Sequence, residues 1–117
     1  MRAIDRISVG LAGVLGASGV AAAAASSHAG ADLLGPYALI ALTHAPALLA
    51  LAALPVQTRL FDIAQIALMA GAVLFCADLA CRYLLGSAVL PLAAPMAGVA
   101  LIIGWMLVTI GAVLRMR

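Results

Sequence analysis

The chain has 117 residues, of which 68% are hydrophobic and 9% are charged, and its formal net charge is +2. Soluble domains are about half apolar and about a quarter charged, so this composition excludes an ordinary water-soluble domain. The six basic residues are all arginines and form no basic run. We therefore expect no nucleic acid partner.

The first apolar stretch, residues 7–25, has the length of a transmembrane helix, because roughly twenty residues cross a hydrocarbon core about 30 Å thick. Small residues recur in it at three- and four-residue spacings, which let helix backbones approach closely in lipid. We predict that this helix is the one most enclosed by its neighbours; the alternative is that a composition rich in glycine and alanine produces the spacings by chance. The predicted helix-packing residues of the chain are Gly10, Gly13, Ala17, Ala21, Gly98 and Gly104.

The same N-terminal stretch has features of a cleavable export signal. It combines Arg2 and Arg6 with an apolar run and with small residues near its end. Signal cores are usually about 7–15 residues long, and this run is longer, so we expect a retained span. Cleavage would instead leave three spans and an external N-terminus.

Three further stretches have the length and apolar character of a span, and they cover residues 35–54, 60–85 and 91–114. The segments 26–35, 55–59 and 86–89 are short and contain turn-forming residues, so neighbouring helices should be antiparallel. The predicted fold class is all-α. We expect an integral membrane bundle of four transmembrane helices that forms a single domain over residues 1–117.

The arginines predict how the bundle is oriented. With four spans, one side of the membrane carries Arg2, Arg6, Arg59, Arg115 and Arg117. Arg82 lies on the other side. Short cytoplasmic segments carry the excess of positive charge, so we expect both termini in the cytoplasm. Uninterrupted helical spans favour a bacterial inner membrane over an outer-membrane barrel.

His44 and Asp78 lie inside predicted spans, about 13 Å and about 10 Å below the outer face at the helical rise. A charge in hydrocarbon is costly unless it is paired, hydrated or neutralised, so both are candidate functional residues. In one interpretation Asp78 pairs with Arg82, and a neutral His44 bonds a hydroxyl or a backbone carbonyl, such as the one that Pro46 leaves free. In a second, His44 and Asp78 meet across helices in a proton- or ion-handling site. In a third, they contact a partner or lipid.

The sequence offers no residues for a cofactor, a metal or catalysis. His28 lies at the outer edge of the first span, so it and His44 do not share the depth that two axial haem ligands need. Cys76 and Cys81 are about 140° apart around a helix, and we interpret them as small apolar residues. With the aspartates scattered, and without a nucleophile beside a base, we expect no metal site, no cofactor and no enzymatic activity.

Three segments of the chain stand out together, namely SHAGADL around His28, THAPALLALAAL around His44, and APMAGVALIIGW from Ala94 to Trp105. Their order and spacing resemble the bacterial family called domain of unknown function 423 (DUF423). The positions that match the family are His28, His44, Pro95, Gly98, Gly104 and Trp105. The family consists of small inner-membrane proteins related to the eukaryotic transmembrane protein 256. The resemblance, from about residue 10 to residue 113, implies a four-helix membrane protein without an established activity.

Four positions depart from the family pattern. Thr43, Ala94 and Ala97 stand where the family has tyrosine, threonine and glycine. Asp78 stands where serine is expected, so the resemblance does not support a site built on Asp78.

The sequence leads to two functional hypotheses. The first is a non-catalytic accessory, assembly or stabilising subunit that packs against a larger membrane protein complex, because the chain has packing surfaces and lacks catalytic chemistry. The alternative is a small-solute or proton/ion transporter or channel that acts as an oligomer, with His44 and Asp78 along its path. In both, the chain contacts the lipid bilayer on most sides.

Overall fold

The computed structural model describes residues 1–88 and 90–115 of the chain. Within these residues the fold is all-α and contains no strand. Its four helices are α1 (Ala3–His28), α2 (Leu34–Ala53), α3 (Arg59–Leu85) and α4 (Ala93–Arg115). All four are long and apolar enough to span a membrane, which confirms the predicted fold class. Val89, in the third predicted turn, and Arg117, one of the predicted cytoplasmic arginines, lie outside the described residues.

Local residues account for the helix ends. α1 begins four residues before the predicted span because Asp5, in its first turn, accepts hydrogen bonds from Arg2 and complements the helix dipole. Thr58 caps α3 by accepting a hydrogen bond from the Phe61 amide at 3.3 Å. At the other end of α3, Gly86 adopts a left-handed φ of 75° that ends the helix. α4 begins only after Leu92, whose φ of 64° interrupts the helical path.

The molecule consists of two closely packed helix hairpins, α1 with α2 and α3 with α4. α2 and α3 meet along a central seam and α1 touches α3 at a few points, whereas the described parts of α1 and α4 do not meet. The two hairpins are therefore joined mainly through α2 and α3. The long axis of 49 Å exceeds the hydrocarbon thickness of about 30 Å, so both ends of the bundle reach the headgroup regions.

The helix ends divide the charges between two ends of the bundle. α1 and α3 begin, and α2 and α4 end, at what we call the arginine-rich end. Its described basic residues are Arg2, Arg6, Arg59 and Arg115. The opposite end carries Asp78 and Arg82. This division is the one that the four-span prediction requires, although it does not by itself say which end faces the cytoplasm.

An apolar cluster fills the seam, and α3 contributes more buried residues than any other helix. Leu48 of α2 and Leu68 of α3 are its largest fully buried apolar side chains. The prediction that the first helix is the most enclosed is therefore wrong. α1 is in close contact with α2 alone, whereas α3 lies against α2 and α4 and also touches α1.

Most of the predicted helix-packing residues do not pack against another helix of this chain. Those that lie on the outer surface, or next to open space, are Gly10, Gly13, Ala17, Ala21 and Gly98. Gly104 does pack, since an added Cβ would lie 2.7 Å from Leu68 Cδ2. Gly19 and Gly71 play the same role toward Leu42 and Leu101. Spacing alone failed because large side chains on the neighbouring helix decide which small residues provide the space for them.

Large apolar side chains cover the outside of the bundle. Ile7, Val14, Ile66, Val99 and Ile102 are each about half exposed or more. A surface of this kind would aggregate in water but is the ordinary surface of a helix in lipid.

Candidate functional site

His44 forms a hydrogen bond between two helices in the middle of the bundle. The imidazole is 5% exposed, and its Nε2 lies 3.2 Å from the indole Nε1 of Trp105 on α4. The two rings meet edge to face, with their centroids 5.8 Å apart. This contact links α2 directly to α4, although the described backbones of the two helices do not approach closely.

The partners of the imidazole determine its tautomer. An indole N–H can only donate, so Nε2 of His44 must accept and carry no proton. Nδ1 then carries the proton and donates to the Ile40 carbonyl at 2.9 Å, with the Thr43 hydroxyl 3.1 Å away. His44 is thus neutral in this arrangement, as one of the predicted interpretations has it. The carbonyl is that of Ile40 and not the one that Pro46 leaves free.

Asp78 and Arg82 form the ion pair that the four-residue spacing predicts. Arg82 Nε donates to Asp78 Oδ2 at 2.9 Å, and the Asp78 side chain is fully buried while that of Arg82 is 43% exposed. The arginine therefore neutralises the aspartate while its own side chain stays partly exposed near the end of the helix.

The structure does not bring His44 and Asp78 together. Both imidazole nitrogens are engaged within α2 and by Trp105. Gly104, next to Trp105, packs on Leu68 of α3, and Asp78 lies ten residues, about 15 Å, farther along that helix. Apolar residues of the central cluster occupy the space between these levels.

A second polar cluster, which we call the Arg2 clasp, lies at the arginine-rich end. Arg2 donates to both carboxylate oxygens of Asp5 at 2.8 and 3.0 Å, and to both oxygens of Asp62 at 2.9 and 3.1 Å. It also reaches Gln57 Oε1 at 2.8 Å. The two carboxylates, Asp5 more strongly, raise the pKa of the guanidinium above its usual range. The clasp therefore retains its cation and ties the start of α1 to the start of α3.

Polar contacts continue inward from the clasp for one further helical turn. Gln65 donates to Asp5 Oδ1 at 3.4 Å, and its own Oε1 is buried without a partner among the described residues. Ser8, fully buried, donates to the carbonyl of Leu48 at 3.1 Å. α1, α2 and α3 are thus held together by side-chain hydrogen bonds in this third of the bundle.

Sequence reasoning missed the clasp although a signal was present. Arg2 and Asp5 are three residues apart at the start of α1, and Asp62 and Gln65 have the same spacing at the start of α3. In an antiparallel bundle the starts of the first and third helices lie at one end. Their opposite charges, considered together, predict the contact.

The remaining candidates stay apart from these clusters. His28 is exposed at the last position of α1. Cys76 is buried and Cys81 half-buried, and both are free thiols. Within the described ranges, no group of three histidine, cysteine or acidic side chains is placed to hold a metal ion.

Several clefts open on the described surface of the bundle. One lies between α1, α2 and α3, with Ser18 and Tyr37 hydrogen-bonded at 2.9 Å among its lining residues. Another, the α2/α4 cleft, has a volume of about 230 Å³. It is lined by Ala47, Ala50, Leu51, Leu54, Trp105 and Val108.

Comparison with known proteins identifies a family. The model of the family described as a protein of unknown function (DUF423) matches residues 12–98, most of the chain, and the match ends before Trp105. Searches of the curated proteins and of the solved structures found no match.

Proposed function

Since the chain belongs to the DUF423 family, whose function is unknown, we propose from its own geometry that it is a non-catalytic accessory, assembly or stabilising subunit of a larger membrane protein complex. In this proposal the protein crosses a bacterial inner membrane four times, with both termini in the cytoplasm. It acts through its lipid-facing surfaces, because its connecting segments are short.

The observation that carries this proposal is that one face of α1 points away from the other helices of the bundle. This small-residue face consists of Gly10, Gly13, Ala17 and Ala21, and all four residues are exposed. An added Cβ at Gly10 or Gly13 would meet nothing within 4 Å. In lipid, a face of this kind lets another helix approach its backbone closely, so that dispersion and weak polar contacts hold the two together.

Native mass spectrometry of the tagged protein, extracted from its own membranes in a mild detergent, tests the proposal. We expect a stoichiometric complex with a larger membrane protein. Recovery of the protein only as a monomer or a homo-oligomer would overturn the proposal and favour transport.

Two alanine-to-leucine substitutions locate the interface. Ala17→Leu places a large side chain on the small-residue face, where the chain itself leaves room, so the fold should persist while the complex dissociates. Ala70→Leu makes the same change on an exposed position of α3 and should leave the complex intact. Loss of the complex in both variants, or in neither, would exclude this face as the interface.

The second candidate function is a proton/ion or small-solute pathway formed by an oligomer. Buried polar side chains favour it, namely Asp5, Ser8, His44, Gln65 and Asp78. They do not form a continuous line within one chain. Leu15, Ala41 and Ala72 lie at a common level, about 18–20 Å from the arginine-rich ends of their helices, and form an apolar layer below Asp78.

Flux measurements separate the two candidates. Transport through His44 predicts that His44→Ala in reconstituted vesicles loses proton or solute flux, and that Asp78→Asn does the same. Wild-type flux in His44→Ala, with the helical circular dichroism of the variant unchanged, would count against transport.

A further inference from the structure

The α2/α4 cleft has the shape and the charge of a lipid site. Ala47 and Ala50 leave the side of α2 open, while Leu51, Leu54 and Val108 form apolar walls. Trp105 closes the inner end, where its hydrogen bond to His44 fixes the indole. A dry, open-sided cleft in the hydrocarbon region offers no polar partner to a water molecule, and it fits an alkyl chain.

The arginine-rich end of the cleft carries an available cation. Arg115 lies seven residues after Val108, which is two helical turns, so it is about 10 Å farther along α4 and only about 20° from the same line. It is exposed, and the described part of the chain contains no ion pair of Arg115. The acidic residues of that end, Asp5 and Asp62, are both bonded by Arg2.

We propose that the α2/α4 cleft binds one acyl chain of an anionic phospholipid, with the phosphate held by Arg115 and the chain extending to Trp105. Basic residues at the boundary of the hydrocarbon attract anionic headgroups, and an apolar cleft between helices holds the attached chain in place. The site lies away from α1 and does not depend on the accessory-subunit proposal.

Trp105 is the single tryptophan of the chain, so tryptophan fluorescence reports on this cleft. Phospholipids brominated halfway along the acyl chain quench an indole on contact, and Trp105 lies ten residues, about 15 Å, from Arg115. The purified protein is reconstituted in phosphatidylcholine vesicles that contain a minor fraction of either brominated phosphatidylglycerol or brominated phosphatidylcholine. We expect the anionic lipid to be preferred roughly fivefold at Trp105, which corresponds to about 1 kcal/mol for one arginine.

Two pairs of variants connect this preference to the cleft. Arg115→Gln should abolish the preference, whereas Arg6→Gln, an exposed arginine at the start of α1, should retain it. Ala50→Leu fills the cleft and should lower quenching by both brominated lipids, whereas Ala70→Leu on α3 should not. Helical circular dichroism of each variant confirms that it has folded.

Three results would overturn the proposal. Equal quenching by the two lipids in the wild type would remove the headgroup preference. A preference that survives Arg115→Gln would assign the phosphate to another residue. Absence of quenching by either lipid would mean that a second copy of the chain covers the cleft.

Discussion

At the scale of single residues, His44 is accommodated in an apolar helix because each nitrogen of its ring meets a group of opposite hydrogen-bonding character. Nδ1 donates to the carbonyl of Ile40, and Nε2 accepts from the indole of Trp105. A buried polar group that lost either partner would bear its full desolvation cost. The pair therefore contributes both to the stability of the bundle and to the position of α4 relative to α2.

The His44 and Trp105 variants should be energetically coupled. Trp105→Phe removes the donor, and His44→Ala removes the acceptor, so in a double-mutant cycle the second change should cost less once the first is present. We expect a coupling of about 0.6 kcal/mol, the average for hydrogen bonds between membrane helices, and at most about 1.7 kcal/mol. It is measured from the free energy of unfolding in mixed detergent micelles.

Thr109 provides the control for that cycle. Its hydroxyl donates to the carbonyl of Trp105 within α4, so Thr109→Val should show no coupling to His44→Ala. Strict additivity of Trp105→Phe and His44→Ala would contradict the proposed role of the bond.

Arg2 should matter more for stability than the other arginines of its end. Arg2→Gln leaves the carboxylate of Asp5 with only the amide of Gln65, and we expect the free energy of unfolding to fall. The loss is smaller than for a fully buried pair because the Arg2 side chain is 39% exposed. Chemical unfolding in detergent measures it.

Arg6→Gln is the matched control, since Arg6 is exposed on the same helix and makes no ion pair with the described acidic residues. It should change stability by less than about 0.5 kcal/mol. Equal effects of the two substitutions would mean that net charge at this end, and not the clasp, determines stability.

The sequence predicted local polar contacts better than distant ones. The Asp78–Arg82 pair follows from a four-residue spacing on a single helix, and it is present. The contacts of Arg2 with Asp62 and of Trp105 with His44 join helices that are distant in sequence. They depend on the rotation of each helix about its axis, which packing of the large side chains sets.

At the scale of helices, the glycines divide into those that provide space for a neighbour and those that face outward. Gly104 receives Leu68, and Gly98, six residues earlier on α4, has nothing within 4 Å of an added Cβ. Both glycines lie inside α4 among apolar residues. They differ in whether a neighbouring helix places a large side chain beside them.

Alanine substitution should therefore act in opposite directions at these two glycines. In Gly104→Ala the new Cβ would lie 2.7 Å from Leu68 Cδ2 and 3.3 Å from the Leu68 amide nitrogen, so either the buried Leu68 side chain or α4 must shift and stability should fall. Gly98→Ala should be neutral or stabilising by up to about 1 kcal/mol, because alanine is the better helix former. Thermal unfolding of both variants in one detergent measures the difference, and a destabilised Gly98→Ala would contradict it.

Helix number and approximate length followed from the sequence because apolar stretches of fixed length are the main constraint in a bilayer. The residues at which the helices end were harder to predict. α1 extends from Ala3 to His28, beyond its apolar residues at both ends, since polar side chains can continue a helix into the headgroup region. The start of α4 depends on the positive φ of Leu92, and a positive φ at a leucine cannot be predicted from the residue type.

At the scale of the whole molecule, the arginine distribution predicts which end faces the cytoplasm. In a background of Cys76→Ala and Cys81→Ala, the thiol introduced by Ser87→Cys should react with a membrane-impermeant maleimide in intact cells. The thiol introduced by Val56→Cys should react only after lysis, because its turn lies at the arginine-rich end, which we expect in the cytoplasm. The reverse pattern of labelling would place both termini outside.

The division into two hairpins bears on how the molecule is made. The close partner of each helix is its neighbour in sequence, α2 for α1 and α4 for α3. The first hairpin can therefore pair in the membrane while the ribosome is still synthesising α3, since none of its close contacts awaits later residues. The seam between α2 and α3 can close only once α3 has been made, and the Arg2 clasp joins the earliest part of the chain to a segment completed some sixty residues later.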